Sequence, residues 1–312
     1  MNFALTLSLV LLASYGLANL LISVLVALGW RMGLFRAAMQ ADTLLGVRWV
    51  PTMGSELLVL TVVLPAFLLY EPLHAHDKPG ALLVVCAALT LAMAGDGVRR
   101  LWRSWRATAT FVRSVRPLAT HSLDAGADVT VINVGQPLVA LVGGWQERIV
   151  ASRSVAAACD GEEFRQVIAH ETAHRQARDN LKYLMMVAMP DVLAWLPAAA
   201  ALVAQWRAAS ELEADERASG ADPHKRVALA SALIKVARLS VGGAAPERLK
   251  RNRGHIEGLE VRIRRLLAPS PGSVPAFPGR RILTSALLLP LLAMPLYAVI
   301  HRLIEVLVAF GR

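Results

Sequence analysis

The most prominent pattern in the chain is a series of long apolar stretches separated by short polar segments. Stretches at 5–28, 50–70 and 79–95 hold almost no charged residues and come close to the ~20 residues that cross a bilayer as an α-helix. A fourth stretch lies within residues 282–312. The pattern predicts a mainly α membrane protein with about four transmembrane helices, three of them within residues 1–98.

Residues 99–267, between the third and fourth stretches, have the mixed composition of a folded α+β domain, and a Pro-, Ser- and Gly-rich linker follows at 268–281. Three short β-rich runs, 129–134, 138–142 and 148–152, are separated by glycine-containing segments and predict a small sheet. The edge of such a sheet can bind an extended peptide by main-chain pairing. A purely structural sheet fits the sequence equally well.

One further apolar stretch, residues 181–206, lies inside this domain and is interrupted by Pro190 and Pro197. It is long enough to cross a membrane. A full crossing would put the residues before and after it on opposite sides, so we expect an apolar hairpin that packs at the interface or re-enters the membrane.

The basic residues are distributed very unevenly along this pattern. All but six of the 33 Lys and Arg residues lie between Arg99 and Arg281. No Lys or Arg precedes the first apolar stretch, which favours a retained transmembrane helix over a cleaved signal peptide. Under the positive-inside rule, the amino terminus then lies outside and the domain at 99–267 lies in the cytoplasm.

The candidate chemistry of that domain starts with the H-E-x-x-H motif formed by His170, Glu171 and His174. In a helix, residues four positions apart share a face, so the two imidazoles can bind one zinc ion. The adjacent carboxylate of Glu171 can accept a proton from the attacking water. The motif is therefore typical of a zinc-dependent peptidase.

The motif lies in a segment, Glu162 to Met186, whose sequence predicts one continuous helix. Asp160 is well placed as its N-cap, and the acidic residues that follow favour the positive end of the helix dipole.

A third metal ligand is available in a later helical segment that contains Glu211 and Asp215, one turn apart. Glu211 can complete a His, His, Glu site, which leaves one coordination position open. Asp215 can accept a hydrogen bond from a ligand imidazole and fix its tautomer. A Glu and Asp pair alone is more typical of a solvated helix face. An H-E-x-x-H motif, however, lacks a third metal ligand, and a helix with this pair can supply it.

Composition fits a membrane protein: 55% of residues are hydrophobic, the mean hydropathy is +0.48 and the net charge is +10. Basic charge in such a chain indicates cytoplasmic loops or faces near anionic lipid, and we expect no direct nucleic-acid binding. Cys86 and Cys159 lie far apart in sequence and in predicted environment, so no disulfide framework is expected.

The chain resembles the BlaR/MecR family of membrane zinc peptidases, which are gluzincins. The resemblance covers about Arg99 to Leu267 and includes the H-E-x-x-H motif with its Arg-Asp-Asn continuation, a preceding Gln-Pro-Leu-Val-Ala run, the Glu-Leu-Glu-Ala-Asp helix and the closing segment 260–267. The motif pair is also similar to that of the HtpX and CAAX-prenyl-protease family.

The resemblance implies one Zn²⁺ ion bound by His170, His174 and Glu211, with Glu171 as the catalytic base and Asp215 supporting a ligand. It also implies a bacterial cytoplasmic membrane and a protein or peptide substrate, in that family a cytoplasmic transcriptional repressor or the peptidase itself. No S-x-x-K constellation of a penicillin-binding domain follows the last apolar stretch, so we do not expect β-lactam sensing by this chain.

Three functions follow from these features: a regulatory protease, a quality-control protease of the HtpX kind, and a non-catalytic membrane sensor or scaffold with a structural metal site. The intact Glu171 argues against the third. His121, His224 and His255 are alternatives for a side chain that hydrogen-bonds the developing oxyanion, and the sequence does not choose among them.

Overall fold

A computed structural model describes residues 3–35, 40–70, 79–115, 119–124, 128–143, 147–242 and 253–268. The predicted linker after residue 268 and the predicted fourth transmembrane helix lie outside the described residues. The chain divides into two compact units. In the described part, the first consists of residues up to Leu101 together with Met186–Val203, and the second of Trp102–Met185 together with residues from Ala204 onwards.

The first unit is built from three long helical segments. They are α1 (Phe3–Arg31), α2 (Ala41–Leu58), which continues through a π-helical turn (Val59–Val63) into α3 (Leu64–Tyr70), and α4 (Ala81–Val115). Each of the three is long and apolar enough to cross a membrane. Many of their Leu and Val side chains are exposed, as expected for surfaces that face lipid. These helices support the prediction of a mainly helical membrane protein.

The second and third helical segments are longer than the apolar stretches alone predict. The second begins at Ala41, nine residues before the apolar stretch, because the preceding turns contain no proline and bury Leu44 and Arg48 inside the unit. The third, α4, runs on through its basic segment to Val115. A segment rich in charged residues can remain helical where its charged side chains lie on a solvated face of the helix.

Close contact between α1 and α4 depends on a small residue. A Cβ atom on Gly16 would lie 2.2 Å from Oγ1 of Thr90, whose hydroxyl donates to the carbonyl oxygen of Leu12 at 2.9 Å. Glycine at this position lets the two backbones approach closely, a common feature of membrane helix pairs.

The second unit contains a four-stranded sheet in the order β1-β2-β4-β3. Its strands are β1 (Ala119–Asp124), β2 (Asp128–Ile132), β3 (Val139–Val142) and β4 (Arg148–Ser152). Strand β2 is parallel to β4, while β1 and β3 pair antiparallel with their neighbours. The three predicted strands are present and β1 is additional, since its alternation is too irregular to stand out in the sequence. Strand β3 forms one edge of the sheet.

The second unit continues with helices, one of which packs on a face of this sheet. They are α5 (Arg153–Ala158), α6 (Gly161–Ala177), α7 (Asp179–Ala188), α8 (Pro197–Ser219), α9 (Pro223–Gly242) and α10 (Arg253–Leu267), of which α7 and α8 extend into the first unit. Ile168 of α6 packs with Val129, Ile149 and Ala151 of the sheet. This apolar contact fixes α6 against the sheet next to the edge strand β3.

Helix α6 begins as predicted but ends early. Asp160 is confirmed as the N-cap, and Glu163 completes a capping box with it. The predicted continuous helix to Met186 is wrong, because Arg178 adopts a left-handed conformation with φ of 56°. A left-handed residue at this position ends a helix and lets the chain turn, and α7 then starts at Asp179.

Candidate metal centre

Helix α6 brings the two histidines of the motif together. The Nε2 atoms of His170 and His174 are 3.1 Å apart, and the two rings stand almost perpendicular. His170 is 6% exposed, whereas His174 is half-buried. One helical turn separates the residues, so both imidazoles reach the same point beside the helix.

Glu211 of α8 supplies the third group. Its carboxylate oxygens lie 3.5 Å from Nε2 of His170 and 3.7 Å from Nε2 of His174. The three ligand atoms are all within 4.8 Å of one another. Ligand atoms at the usual Zn–N and Zn–O distances, in tetrahedral geometry, are about 3.3 Å apart. The donor set and its spacing therefore fit a zinc ion with one open coordination position.

The other ring nitrogen of His170 faces Asp215. Its Nδ1 atom is 2.9 Å from Oδ1 of Asp215, in an oblique approach rather than along the N–H bond. Asp215 is only 2% exposed. A buried carboxylate in this position favours the tautomer with the proton on Nδ1 and leaves the Nε2 lone pair for a metal ion.

His174 has an equivalent carboxylate, which the sequence analysis did not assign. Nδ1 of His174 is 2.7 Å from Oδ2 of Asp179, the first residue of α7, and Ser210 donates a hydrogen bond to the same oxygen at 2.5 Å. Asp179 belongs to the Arg-Asp-Asn continuation of the motif. A continuous helix would have pointed it away from His174, so the helix break at Arg178 is what allows the contact.

Arg262 of α10 is the second residue that was missed. Its guanidinium binds both carboxylate oxygens of Asp215 at 2.8 Å, and its Nη1 is 2.7 Å from Glu211. Arg262 lies within the closing segment of the resemblance, but one Arg among several neighbouring ones gives no signal of this role. Its bidentate geometry holds Asp215 in place and balances the negative charge of the centre.

The pKa values of the ligands reflect this arrangement. Burial lowers the pKa of His170, but its contacts with Asp215 and Glu211 outweigh burial and raise it to about 9. Burial raises the pKa of Glu211, and contacts with His170 and Arg262 more than compensate, lowering it to about 2. These opposite shifts of pKa reflect the attraction between the His170 imidazole and the carboxylates of Asp215 and Glu211.

Glu171 lies beside the cluster without joining it. Burial is the main reason that its pKa is raised, while the two histidines and a main-chain hydrogen bond from Leu141 act in the opposite direction. A carboxylate with a raised pKa is a better proton acceptor. Leu141 belongs to the edge strand, so Glu171 is next to β3.

The outer edge of β3 faces the helices that carry the centre. The N–H of Ser152 donates to the carbonyl oxygen of Leu138. Hydrogen-bonded positions alternate along an antiparallel pair, so in the register of β3 and β4 the main-chain groups of Val139 and Leu141 point away from β4. The side-chain amide of Asn180 donates to the carbonyl oxygens of Leu141 and Gly143 at 3.2 and 3.1 Å. Glu171 and Asn180 thus hold part of the strand's outer edge, and Val139 continues that edge.

Among the remaining candidate histidines, His224 is not part of the cluster that the described residues form. His224 is exposed near the start of α9, where its main-chain N–H donates to Asp222. The structure does not describe the side chains of His121 and His255, so the choice of an oxyanion donor stays open.

Comparison with known proteins agrees with the resemblance read from the motifs. The family model described as BlaR1 peptidase M56 matches residues 79–264. Among solved structures, the crystal structure of S. mikatae Ste24p is similar at 15% sequence identity and a TM-score of 0.30, with 73% of this chain and 65% of that chain covered. This chain thus spans 65% of the length of that protein. None of the curated proteins matches the sequence.

The family match covers the His, His, Glu cluster, and the first unit contains three helices that are long and apolar enough to cross a membrane. The matched region contains both histidines, Glu171, Glu211, Asp215 and Arg262. The chain belongs to the BlaR1 peptidase M56 family, which confirms the predicted resemblance to the BlaR/MecR peptidases.

Proposed function

We propose that the chain is a membrane-anchored zinc endopeptidase that acts in regulated proteolysis. The observation that carries this proposal is the joint geometry of His170, His174 and Glu211, whose ligand atoms lie at the spacing of a tetrahedral site while separate carboxylates bind the two imidazoles. Carboxylates placed beside the Nδ1 atoms of both histidines are typical of metal sites and are not expected in a solvated cluster of charges.

The residues around the centre divide the chemistry of peptide hydrolysis among them. His170, His174 and Glu211 would hold a zinc ion, which would supply Lewis-acid activation of the scissile carbonyl and lower the pKa of the attacking water from 15.7 towards ~7. Glu171 accepts a proton from the attacking water and donates it to the leaving amine as the carbon–nitrogen bond breaks. Asp179 and Asp215 keep the imidazoles in their binding tautomer.

We propose that the substrate binds as an extended peptide along the outer edge of β3. This edge is adjacent to Glu171, and Val139 continues it beyond the groups that Asn180 contacts. Pairing with an edge strand aligns a peptide without requiring a particular sequence. Of the two roles that the sequence allows for the sheet, this position favours substrate binding over a purely structural sheet.

The cellular role rests on the family and on the predicted topology. We propose an amino terminus outside a bacterial cytoplasmic membrane, a cytoplasmic peptidase domain, a fourth transmembrane helix within 282–312, and cleavage of a cytoplasmic transcriptional repressor or of the chain itself. Quality control of membrane proteins is the alternative substrate class. A non-catalytic scaffold would have no need for Glu171 beside the cluster.

Comparative proteomics of cells that express the wild-type chain or the Glu171→Gln variant tests this proposal. Fragments of a cytoplasmic regulator, or of the chain itself, that appear only with the wild type would support regulated proteolysis. Fragments of many membrane proteins would favour quality control. Identical fragment patterns in the two strains, with zinc bound to both proteins, would overturn the proposal of a peptidase.

A further inference from the structure

The first unit contains a buried polar network that the proposed chemistry does not use. Its centre is an ion pair between Arg48 of α2 and Asp191, which lies between α7 and α8. Arg48 is 1% exposed and Asp191 is 0% exposed. A buried charge among membrane helices is costly unless it is paired, and such pairs usually have a role.

The network holds one short stretch of main chain, residues 187–195, which we call the docked segment. It includes the end of α7, Pro190 and a 3₁₀ turn (Val192–Trp195). Irregular backbone of this kind leaves N–H and carbonyl groups without helical partners, and inside a membrane other protein groups must satisfy them. The docked segment therefore needs specific partners on the helices around it.

Helix α1 provides the first set of partners. The carbonyl group of the Asn19 side chain accepts from the N–H of Val192 at 2.9 Å, and Ser23 accepts from the N–H of Leu193 at 3.0 Å. Tyr15 donates to the carbonyl oxygen of Pro190 at 3.2 Å. Asn19 and Ser23 are completely buried. Consecutive N–H groups of the 3₁₀ turn are thus bound by residues one turn apart on α1.

Helices α2 and α4 provide the others. Besides Arg48, Thr52 of α2 donates to Asp191 at 3.1 Å.

From α4, Arg100 donates to the carbonyl oxygens of Val187 and Met189 at 2.9 and 2.8 Å. A Cβ atom on Gly97 would lie 2.7 Å from the carbonyl oxygen of Ala188, so α4 runs in close contact with the segment. Three helices that are long enough to span a membrane all bind the same nine residues.

The docked segment joins the two helices that carry parts of the metal centre. Helix α7 starts with Asp179, which contacts His174, and α8 contains Ser210, Glu211 and Asp215. Since Glu211 lies 3.5 Å from His170, the chain between them leaves the centre and returns to it. The apolar hairpin at 181–206 stays a prediction, and the docked segment lies at the position of its turn.

We propose that the docked segment anchors α7 and α8 among the membrane helices, and that Arg48 and Asp191 are positioning residues for the metal centre. This inference rests on the proposed zinc site. A helix is stiff along its axis. A displacement of the end of α7 or of the start of α8 would therefore move Asp179 or Glu211 relative to the two histidines of the motif. A rearrangement of the membrane helices would then change the affinity for metal without any direct contact to a ligand.

The test uses the full-length protein in lipid nanodiscs and compares Arg48→Gln, Asp191→Asn and the double variant with the wild type. Arg31→Gln is the control, since it removes the charge of an exposed arginine at the end of α1 in the same unit. Zinc affinity is measured by competition with a chromophoric chelator. Hydrogen exchange of the metal-free protein is followed in peptides covering 179–185, 186–203 and 204–215.

We expect each single variant to bind zinc about 2- to 30-fold more weakly, the range typical of networks that link distant sites. The double variant should lose no more than the worse single variant, because no unpaired charge remains. Hydrogen exchange should rise in all three peptides, and the control should match the wild type. Faster exchange confined to 186–203, with unchanged zinc affinity, would overturn the proposal because the network would then be only a local anchor.

Milder variants keep the test decisive if the charge variants do not fold. Gly97→Ala adds one methyl group against the docked segment, and Ser23→Ala removes one of its hydrogen bonds. Both should shift zinc affinity and exchange in the same direction, and wild-type behaviour of both would refute the inference. A wild type that binds no zinc refutes the proposed function instead, while hydrogen exchange of the metal-free protein still tests the anchor.

Discussion

Nδ1 of His174 lies 2.7 Å from the carboxylate of Asp179, five residues further along the chain. In a continuous helix, residues five apart point in directions about 140° apart, so the contact would not form. It forms because Arg178 has a φ of 56° and turns the chain between α6 and α7. One left-handed residue therefore allows the contact that supports a proposed metal ligand.

The left-handed conformation predicts opposite effects for two substitutions of Arg178. Arg178→Gly should keep zinc affinity and leave stability equal or higher by up to about 1 kcal/mol, because glycine adopts this conformation without a steric penalty. Arg178→Val should destabilise the protein by about 1–2 kcal/mol and weaken zinc binding, since a β-branched residue resists it. Thermal unfolding and chelator competition measure the two effects. Equal behaviour of the variants would contradict the role of this turn.

The roles of the motif residues predict a separation of metal binding from catalysis. Glu171→Gln should retain zinc and lose cleavage activity, because the amide cannot accept the proton from water. His170→Ala should lose both, since two ligands remain. Zinc content by mass spectrometry and cleavage of a protein substrate check both outcomes. Full activity of Glu171→Gln would rule out the proposed mechanism.

The two supporting carboxylates predict a graded loss of metal. Asp179→Asn and Asp215→Asn should each weaken zinc affinity by about 10- to 100-fold, the usual effect of removing a partner that orients a ligand imidazole. Glu260→Gln is the control, because Glu260 forms an exposed pair with Arg264 on α10. Affinity measured at constant pH and ionic strength gives the comparison. An Asp179→Asn variant with wild-type affinity would show that the contact with His174 is incidental.

Substrate pairing along β3 predicts a selective effect of proline at Val139. The N–H of Val139 points away from β4, so proline there removes a group on the outer edge without breaking the sheet. Val139→Pro should lower kcat/KM by about 10-fold, through one lost hydrogen bond to a peptide, while zinc affinity stays unchanged. Ala140→Pro is the contrasting variant, because its N–H pairs with β4 and its loss should unfold the strand. Unchanged kcat/KM in Val139→Pro would exclude pairing at this position.

A buried acid in the first turn of α6 predicts a pH-dependent contribution to stability. Glu163 accepts hydrogen bonds from Ser231 and Lys235 of α9 and from the main-chain N–H of Asp160. Burial raises its pKa, but these donors lower it below the ordinary value of 4.5. Because the folded state prefers the ionised carboxyl, its stabilising effect is complete above about pH 4.5 and disappears as the pH falls through the lower folded-state pKa.

The corresponding variant is Glu163→Gln, which should be about 1–3 kcal/mol less stable than the wild type at pH 7. The difference should shrink as the pH falls below about 4.5, where the wild type loses the ionised form. Denaturant unfolding of both proteins between pH 3.5 and pH 7, each compared at the same pH, measures it. A difference that stays constant over this range would indicate that packing rather than charge stabilises this position.

Local patterns in the sequence were enough to find the three proposed ligands and the cap of the helix that carries the two histidines. His170 and His174 follow from helical periodicity, and Glu211 with Asp215 from the same periodicity in a second segment. Asp160 follows from the preferences of helix N-termini. These features depend on residues within one or two turns of each other, so the sequence contains the information they need.

The features that depend on distant parts of the chain were decided by the tertiary structure. Asp179 contacts His174 only because one dihedral angle at Arg178 ends the helix, and no pattern of side chains marks that angle. Arg262 reaches Asp215 across 47 residues, and Asp191 meets Arg48 across 143. Hydrophobic periodicity reports which side of a helix is buried but not which residues it is buried against. Packing, which brings these charges together, determined how the metal centre is held.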